Sequence, residues 1–233
     1  MMIWLIFLNI PTKLAFYLLH TPHYFYLYKT CNAINKIHIF LFFSIISFAS
    51  CAVSNNPQRK QLKDLQKGIL KDDTSFVYHL PYETNTKHLL VQGYFSKFSH
   101  KERAALDFKM KRRTTVVAAR EGVVVRVKKD GNNGGWNKKY RPFGNVIVIQ
   151  HADGTRAGYW HLTYNSALVN VGDTVKQGQA IGLSGKTGYT LFPHLHFIVW
   201  RFDDKGNWMQ VGTRFLTSKG VKYLRPMRWY TNK

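Results

Sequence analysis

The sequence predicts an all-β domain built from many short strands, with almost no helix. Three strand-length runs carry this prediction: GVVVRVKK at 122–129, GNVIVIQH at 144–151 and RAGYWHL at 156–162. An Asp-Gly pair within HADGTR supplies a hairpin turn between the last two runs. Residues 169–188 then alternate valine and isoleucine with Gly-Asp and Gly-Gln turns. The basic, glycine-rich segment 130–144 joins two predicted strands and is long enough to line a groove.

Composition divides the chain into three parts. We expect a leader over residues 1–53, a tether over residues 54–75, and the β-domain with a short C-terminal extension over residues 76–233. The tether is polar and charged, and it holds apolar residues at helical spacing that predict a short helix. These are Leu62, Leu65 and Ile69.

The leader predicts export from the bacterial cytoplasm. Residues 1–52 are crowded with isoleucine, leucine and phenylalanine and contain no acidic residue. The apolar run at 37–50 is too short to cross a bilayer, which takes about 20 apolar residues, but it suits the core of an export signal. Its end, SFASC, resembles a bacterial lipoprotein signal and makes Cys51 a candidate for lipidation. Simple signal cleavage and an uncleaved membrane anchor are the alternatives.

The position of this signal inside the chain predicts a later start of translation, near Ile34. Residues 1–33 are then either not translated or an extra membrane segment. Cys31 and Cys51 are the only cysteines, so the domain that follows has no disulfide and depends on its own core. We expect a periplasmic or membrane-anchored location in the cell envelope.

The part of the chain after Ala52 is strongly basic. All 12 acidic residues lie in it, together with 31 of the 34 basic residues, which leaves a net charge of about +19. Such a charge favours polyanionic partners. An exported chain meets anionic cell wall and lipid headgroups first, and no zinc-finger or RNA-binding motif is present. We therefore expect no nucleic-acid partner.

Two histidines in FPHLHFIVW predict one wall of a metal site. Side chains alternate along a strand, so His194 and His196 lie on one face while Leu195, Phe197 and Val199 lie on the other. Two neutral imidazoles on one face crowd each other unless something polar or cationic lies between them. A catalytic zinc ion takes three protein ligands and leaves one position open.

Further ligands must come from histidine or carboxylate side chains, because the domain lacks cysteine. The candidates are His100 and Asp107 in FSHKERAALDFKM, and His161 at the end of a predicted strand. The other histidines have no comparable setting, and we expect them to be structural. They are His20, His23, His38, His79, His88 and His151.

The sequence resembles the lysostaphin-like, or LytM-type, zinc endopeptidases that cut peptidoglycan cross-links. The resemblance covers roughly residues 80–200 and is strongest in GNVIVIQHADGTRAGYWHL, VGDTVKQGQAIGLSGKTG and PHLHF, which follow the family's order. It implies a small β-sandwich or barrel-like domain of short antiparallel strands, of the duplicated-hybrid-motif type. It also implies one zinc ion and a peptidoglycan peptide as substrate.

The resemblance assigns roles to five residues. His100, Asp107 and His196 match the metal ligands, and His161 and His194 match the two catalytic histidines.

Three positions depart from the family's pattern or are loosely placed. Six residues separate His100 from Asp107 where relatives have three, and a turn through KERAA is expected to hold the extra length. Phe192 stands where a glycine is common, and Tyr94 is the candidate for a tyrosine that assists the transition state in relatives.

Two other functions compete with a peptidase. A catalytically weak or inactive LytM-type domain would regulate other cell-wall hydrolases, and bound zinc distinguishes the two. The hairpins of VGDTVKQGQAIG also resemble biotinyl and lipoyl carrier domains, for which Lys186 is the only loose candidate, and the histidines would then have no role.

Overall fold

The computed structural model describes residues 56–233, which form one α-helix, one 3-10 helix and sixteen short strands. The leader, Cys51 and the histidines before residue 56 lie outside the described residues. Among residues 56–233, no helix combines the length and the apolar character needed to span a membrane.

The all-β prediction is confirmed. The elements are α1 (Gln58–Lys67), β1 (Val77–His79), β2 (Lys87–Gln92), β3 (Ala105–Lys109), β4 (Thr115–Val117), β5 (Gly122–Lys128), β6 (Gly134–Gly135), a 3-10 helix (Lys138–Phe143), β7 (Val146–Gln150), β8 (Arg156–Trp160), β9 (Thr174–Val175), β10 (Ala180–Leu183), β11 (Gly188–Tyr189), β12 (His194–Phe202), β13 (Trp208–Val211), β14 (Arg214–Thr217), β15 (Gly220–Tyr223) and β16 (Arg228–Thr231). The three quoted runs became β5, β7 and β8.

A nine-stranded antiparallel sheet is the frame of the domain. Its strands run in the order β16, β2, β3, β12, β8, β7, β5, β9, and β13 pairs with the far end of β12. Three smaller sheets complete the fold: β1–β14–β15, β4–β10 and β6–β11. The pairs β1–β14 and β6–β11 are parallel, so the expected antiparallel pairing does not extend to them.

The central strand β12 is buried on both faces over its first seven residues. Leu195, Phe197 and Val199 enter the main core, as the alternation predicted. On the opposite face, Ile198 and Trp200 pack in a second, smaller cluster. The two histidines share that second face and are themselves buried, because a cleft rather than open solvent lies above them.

The predicted tether helix is docked on the β-domain. Leu62 is buried in the main core, and the Gln66 side chain donates a hydrogen bond to the carbonyl of Leu224. The helix ends at Lys67 because Gly68 adopts a left-handed conformation, φ 75°. Ile69 therefore lies beyond the helix, where it is 67% exposed rather than part of its apolar face.

The described residues, 56–233, belong to one compact unit. The described residues contain a complete apolar core, which runs from Leu62 to Leu224. We infer that this unit folds without the leader.

Replacing Phe197 with alanine should destabilise the domain by about 3–5 kcal/mol, because a fully buried aromatic ring leaves a cavity. The Phe197 ring packs edge-on against Tyr159 and Phe215, with centroids 5.3 and 5.8 Å away. Urea denaturation measures the change. Phe202→Ala is the matched control, since Phe202 ends the same strand and is 47% exposed, and it should change stability by about 0.5 kcal/mol. Equal losses in both variants would contradict this packing.

Candidate metal centre

Three adjacent strands place the central residues of the site in a row. In the antiparallel register of β3, β12 and β8, Asp107 lies opposite His196, and His196 lies opposite Trp160. His161 follows Trp160 directly, at the point where β8 ends. Strand pairing therefore brings together residues that are far apart in the sequence.

His100 enters from the loop between β2 and β3. A turn closed by the hydrogen bond from Arg103 N–H to His100 O, 3.1 Å, holds the extra residues before Asp107. The turn leaves His100 Nε2 3.2 Å from Asp107 Oδ1. The six-residue spacing is thus compatible with a shared site, as the sequence analysis anticipated.

The Asp107 carboxylate is the centre of the cluster. Its Oδ1 atom lies 2.8 Å from His196 Nδ1 and 3.6 Å from His194 Nε2, in addition to the His100 contact. One ligand atom each from His100, Asp107 and His196 lie within 4.8 Å of one another, and His161, His194 and His196 form a second such group.

The arrangement of His100 and Asp107 requires a positive charge, a proton or a metal cation, between the imidazole nitrogen and the carboxylate. His100 Nδ1 lies 3.3 Å from the Gly93 carbonyl, which can only accept a hydrogen bond, so the proton sits on Nδ1. The Nε2 atom then faces the Asp107 carboxylate with its lone pair unless it takes up a second proton. A second proton or a metal cation relieves this repulsion. Two imidazole nitrogens and one carboxylate oxygen are a zinc-type donor set with a position left for a further ligand, so the residues fit zinc.

Electrostatics keep Asp107 ionised. Burial alone raises the pKa of its carboxyl group, but electrostatic interaction with His100 and His194 and side-chain hydrogen bonding with His100 and His196 outweigh burial. The pKa of Asp107 therefore lies well below its ordinary value. Burial also lowers the pKa of His196 to about 4, so its imidazole is neutral at pH 7, as a metal ligand must be.

The imidazole rings of His161 and His194 are each oriented by a hydrogen bond to a backbone carbonyl. His161 Nδ1 donates to the carbonyl of Thr187, 2.7 Å, and His194 Nδ1 donates to the carbonyl of Phe192, 2.9 Å. Each Nε2 atom therefore keeps its lone pair. The ring centroids lie 4.7 Å apart.

The backbone at His161 is strained. This residue has φ 66°, in the left-handed region that non-glycine residues rarely adopt. Burial, together with the charges of His194 and His196, lowers the pKa of His161 to about 3. Its imidazole is consequently neutral at pH 7, with the Nε2 lone pair unprotonated.

Sequence reasoning missed Gln92. Its side-chain amide donates to Asp107 Oδ2, 2.9 Å, on the side of the carboxylate that faces away from the histidines. The amide oxygen accepts hydrogen bonds from Ser96 Oγ and from the Ser99 N–H and Oγ, which fixes the direction of the donor. No local sequence pattern marks this residue, because its partner lies across a strand pair.

A cleft of about 660 Å³ covers the cluster. Phe98 stacks on Trp136 at 5.2 Å, and Trp136 stacks on Tyr189 at 5.0 Å, with Arg141 5.6 Å from the Tyr189 ring. Trp136 and Arg141 belong to the glycine-rich segment, so the prediction that this segment lines a groove is confirmed.

Phe192 and Tyr94, which the sequence analysis connected with the site, lie in different parts of the domain. Phe192 lines the cleft. Tyr94 does not: it is 1% exposed in the core and its hydroxyl is hydrogen-bonded with Thr213, so the structure contradicts its assignment to the site. Tyr189 is the tyrosine that faces the cleft. His79, His88 and His151 lie outside its lining, as expected.

Comparison with known proteins identifies the domain. A family profile described as peptidase family M23 matches residues 101–210. The chain contains a peptidase family M23 domain. The resemblance to lysostaphin-like, LytM-type peptidases is thereby confirmed, and M23 peptidases are metallopeptidases. Asp107, His161, His194 and His196 lie inside the matched range, and His100 lies one residue before it.

Several curated proteins are similar to this M23 domain. Peptidoglycan DD-endopeptidase ShyA of Vibrio cholerae is 41% identical over 91 residues, which are 39% of this chain and 18% of ShyA. Glycyl-glycine endopeptidase ALE-1 of Staphylococcus capitis is 36% identical over 115 residues, 49% of this chain and 29% of ALE-1. Lysostaphin of Staphylococcus simulans is 44% identical over 94 residues, 40% of this chain and 17% of lysostaphin. The match thus spans less than a third of each relative.

Among solved structures, the catalytic domain of Staphylococcus simulans lysostaphin is 32% identical. The similarity covers 52% of this chain and 86% of that domain, with a TM-score of 0.37.

We expect His100→Ala to lose bound zinc, because two ligands hold the ion far more weakly than three. Metal analysis after dialysis against zinc-containing buffer should find about one zinc ion per wild-type chain and almost none in the variant. His88→Ala is the matched control: His88 Nδ1 hydrogen-bonds with the Lys109 carbonyl outside the cleft, so the variant should keep its zinc. Stoichiometric zinc in folded His100→Ala protein would refute the ligand assignment.

Proposed function

We propose that this M23 domain is a zinc-dependent endopeptidase that hydrolyses peptide cross-links of bacterial peptidoglycan. The observation that carries the proposal is the convergence of His100 Nε2, Asp107 Oδ1 and His196 Nδ1 beneath an open cleft, beside the imidazoles of His161 and His194. His100, Asp107 and His196 would hold one zinc ion. A bound zinc ion supplies Lewis-acid polarisation of the scissile carbonyl and makes water more acidic.

His161 and His194 supply proton transfer. Their Nε2 atoms carry lone pairs because both Nδ1 protons are committed to backbone carbonyls. One of the two accepts a proton from the attacking water at Nε2, and that protonated imidazole then donates a hydrogen bond to the developing oxyanion and passes the same proton to the leaving amine. The carbonyls of Thr187 and Phe192 fix the ring orientations, so no rotation is needed during the reaction.

The cleft supports a peptide substrate. It has aromatic side chains together with the imidazoles in its lining, which suits a peptide chain. The names of ShyA and ALE-1 describe endopeptidases of wall peptides, one a peptidoglycan DD-endopeptidase and the other a glycyl-glycine endopeptidase. The shared chemistry is hydrolysis of an amide bond in the cell-wall peptide.

The competing proposal is a domain that regulates other wall hydrolases without cutting. Such a domain has no need of five polar residues arranged around one buried carboxylate. Retaining Asp107 at nearly complete burial would then destabilise the fold for no catalytic gain. The complete cluster therefore favours the enzyme.

Export and membrane attachment also belong to this proposal. The apolar leader and Cys51 would take the domain to the cell envelope, where its substrate is located. Metabolic labelling with a radioactive fatty acid tests lipidation, and label that persists in a Cys51→Ser variant would refute it.

Incubation of the protein with purified peptidoglycan, followed by mass analysis of released peptides, tests the activity. We expect new amino termini in the absence of a chelator and none in its presence. His161→Ala should keep its zinc and lose about a hundredfold or more in rate, because a proton-transfer group has been removed. His151→Ala is the control, since His151 Nδ1 hydrogen-bonds with the Glu121 carbonyl away from the cleft. Wall binding without cleavage by zinc-loaded wild-type protein would favour the regulatory alternative.

A further inference from the structure

A second, cationic pocket lies between helix α1 and the turn before β16. It has a volume of about 250 Å³ and is lined by four basic residues, Lys63 and Lys67 from the helix, Arg225 from the turn and Arg228 at the start of β16. Gln66 and Pro226 complete the lining. None of these residues lines the metal cleft.

The walls of the pocket are held in place by hydrogen bonds. The Gln66 side chain ties the helix to the Leu224 carbonyl, at the start of the turn. Within the turn, Arg225 N–H donates to the Tyr230 hydroxyl, 2.7 Å, and Met227 N–H donates to the Leu90 carbonyl, 2.7 Å. The pocket is therefore formed before any ligand binds.

The four cations have no anionic partner among residues 56–233. The nearest acid on the helix, Asp64, is paired with Lys60 at 2.9 Å. Burial, together with the charges of Arg59 and Lys67, lowers the pKa of Lys63. The helix C-terminus contributes about half a negative charge, far less than four cations, so the pocket stays positive.

Two exposed apolar residues lie close in the sequence to the basic residues of the pocket. Met227 occupies the turn between the two arginines and is 70% exposed, with φ 59°. Ile69, two residues after Lys67, is 67% exposed. Exposing these apolar side chains to water is unfavourable, whereas the surface of a bilayer can bind apolar groups beside basic ones.

We propose that this face binds a membrane, with a lipid phosphate in the pocket and Met227 inserted among the headgroups. Arginine forks and lysine ammonium groups are the side chains that match phosphate oxygens. A soluble phosphate would use the same four cations but would leave the exposed Met227 without a role. The proposal concerns residues 56–233 and does not depend on the leader, the metal centre or peptidase activity.

Sedimentation with phospholipid vesicles tests it, using a chain that begins at residue 53 so that the leader does not contribute. We expect binding to vesicles that contain phosphatidylglycerol and little binding to pure phosphatidylcholine. Arg225→Gln/Arg228→Gln should weaken binding about tenfold to thirtyfold, since each basic residue near an anionic surface contributes substantially. Both side chains are exposed, and circular dichroism checks that the fold is retained.

The matched control removes two cations from the other edge of the large sheet. Lys129→Gln/Lys176→Gln changes the net charge equally, but these residues follow β5 and β9, at the opposite end of the strand order from β16. Strands about 4.8 Å apart put them well beyond the screening length of about 10 Å. This variant should lose less than about threefold in affinity.

Met227→Asn separates lipid from soluble phosphate. Asparagine tolerates the left-handed backbone, so the variant removes the apolar group without straining the turn. It should bind anionic vesicles several-fold more weakly while its affinity for inorganic phosphate is unchanged. If Arg225→Gln/Arg228→Gln and Lys129→Gln/Lys176→Gln lost equal affinity for vesicles, net charge rather than the pocket would account for binding. Unchanged vesicle binding by Met227→Asn would assign the pocket to a soluble phosphate, and either result would overturn the proposal.

Discussion

One buried carboxylate organises the site. Asp107 sits on a fully covered strand, and burial without compensation would favour its neutral form. It stays ionised only because imidazoles approach one of its oxygens and the Gln92 amide binds the other. Any movement of β3 relative to β12 would break these contacts together, so the sheet register and the charge of the site depend on each other.

Backbone carbonyls around the histidines determine which ring nitrogen carries the proton. Gly93, Thr187 and Phe192 each accept the Nδ1 proton of one imidazole, and this arrangement leaves each Nε2 atom with its lone pair, which at His100 faces Asp107 Oδ1. His196 is the exception, since its Nδ1 atom faces Asp107 directly. Neighbouring strand positions therefore present different ring nitrogens. This difference allows His194 and His196 to take separate roles although they share one face.

Features governed by local periodicity could be predicted from the sequence. The period of two predicted which residues of β12 enter the core, and the glycine turns predicted the strands that flank it. The division of the five residues into ligands and proton carriers came from the family resemblance, not from spacing. Gln92, the aromatic stack and the docking of α1 arise from contacts between distant segments, which no local pattern encodes. Tyr94 was misplaced for the same reason, because nothing near it in the sequence reveals that its hydroxyl meets Thr213 in the core.

Net charge alone could not identify a partner, because +19 spread evenly would describe only a soluble basic protein. The structure divides this charge. Arg103, Arg126, Lys128 and Arg141 line the metal cleft, while a separate group of four cations lines the pocket beside α1. In the cleft, Lys128 is paired with Asp130, which weakens its attraction for other anions. Weak attraction suits the proposed peptidase, since tight binding of a charged substrate would slow product release. A docking surface gains from preorganised cations next to apolar side chains, since it must remain attached. Under the two proposals the two groups of cations suit different anions, a substrate that is released and a lipid phosphate that stays bound, and no residue lines both the cleft and the pocket.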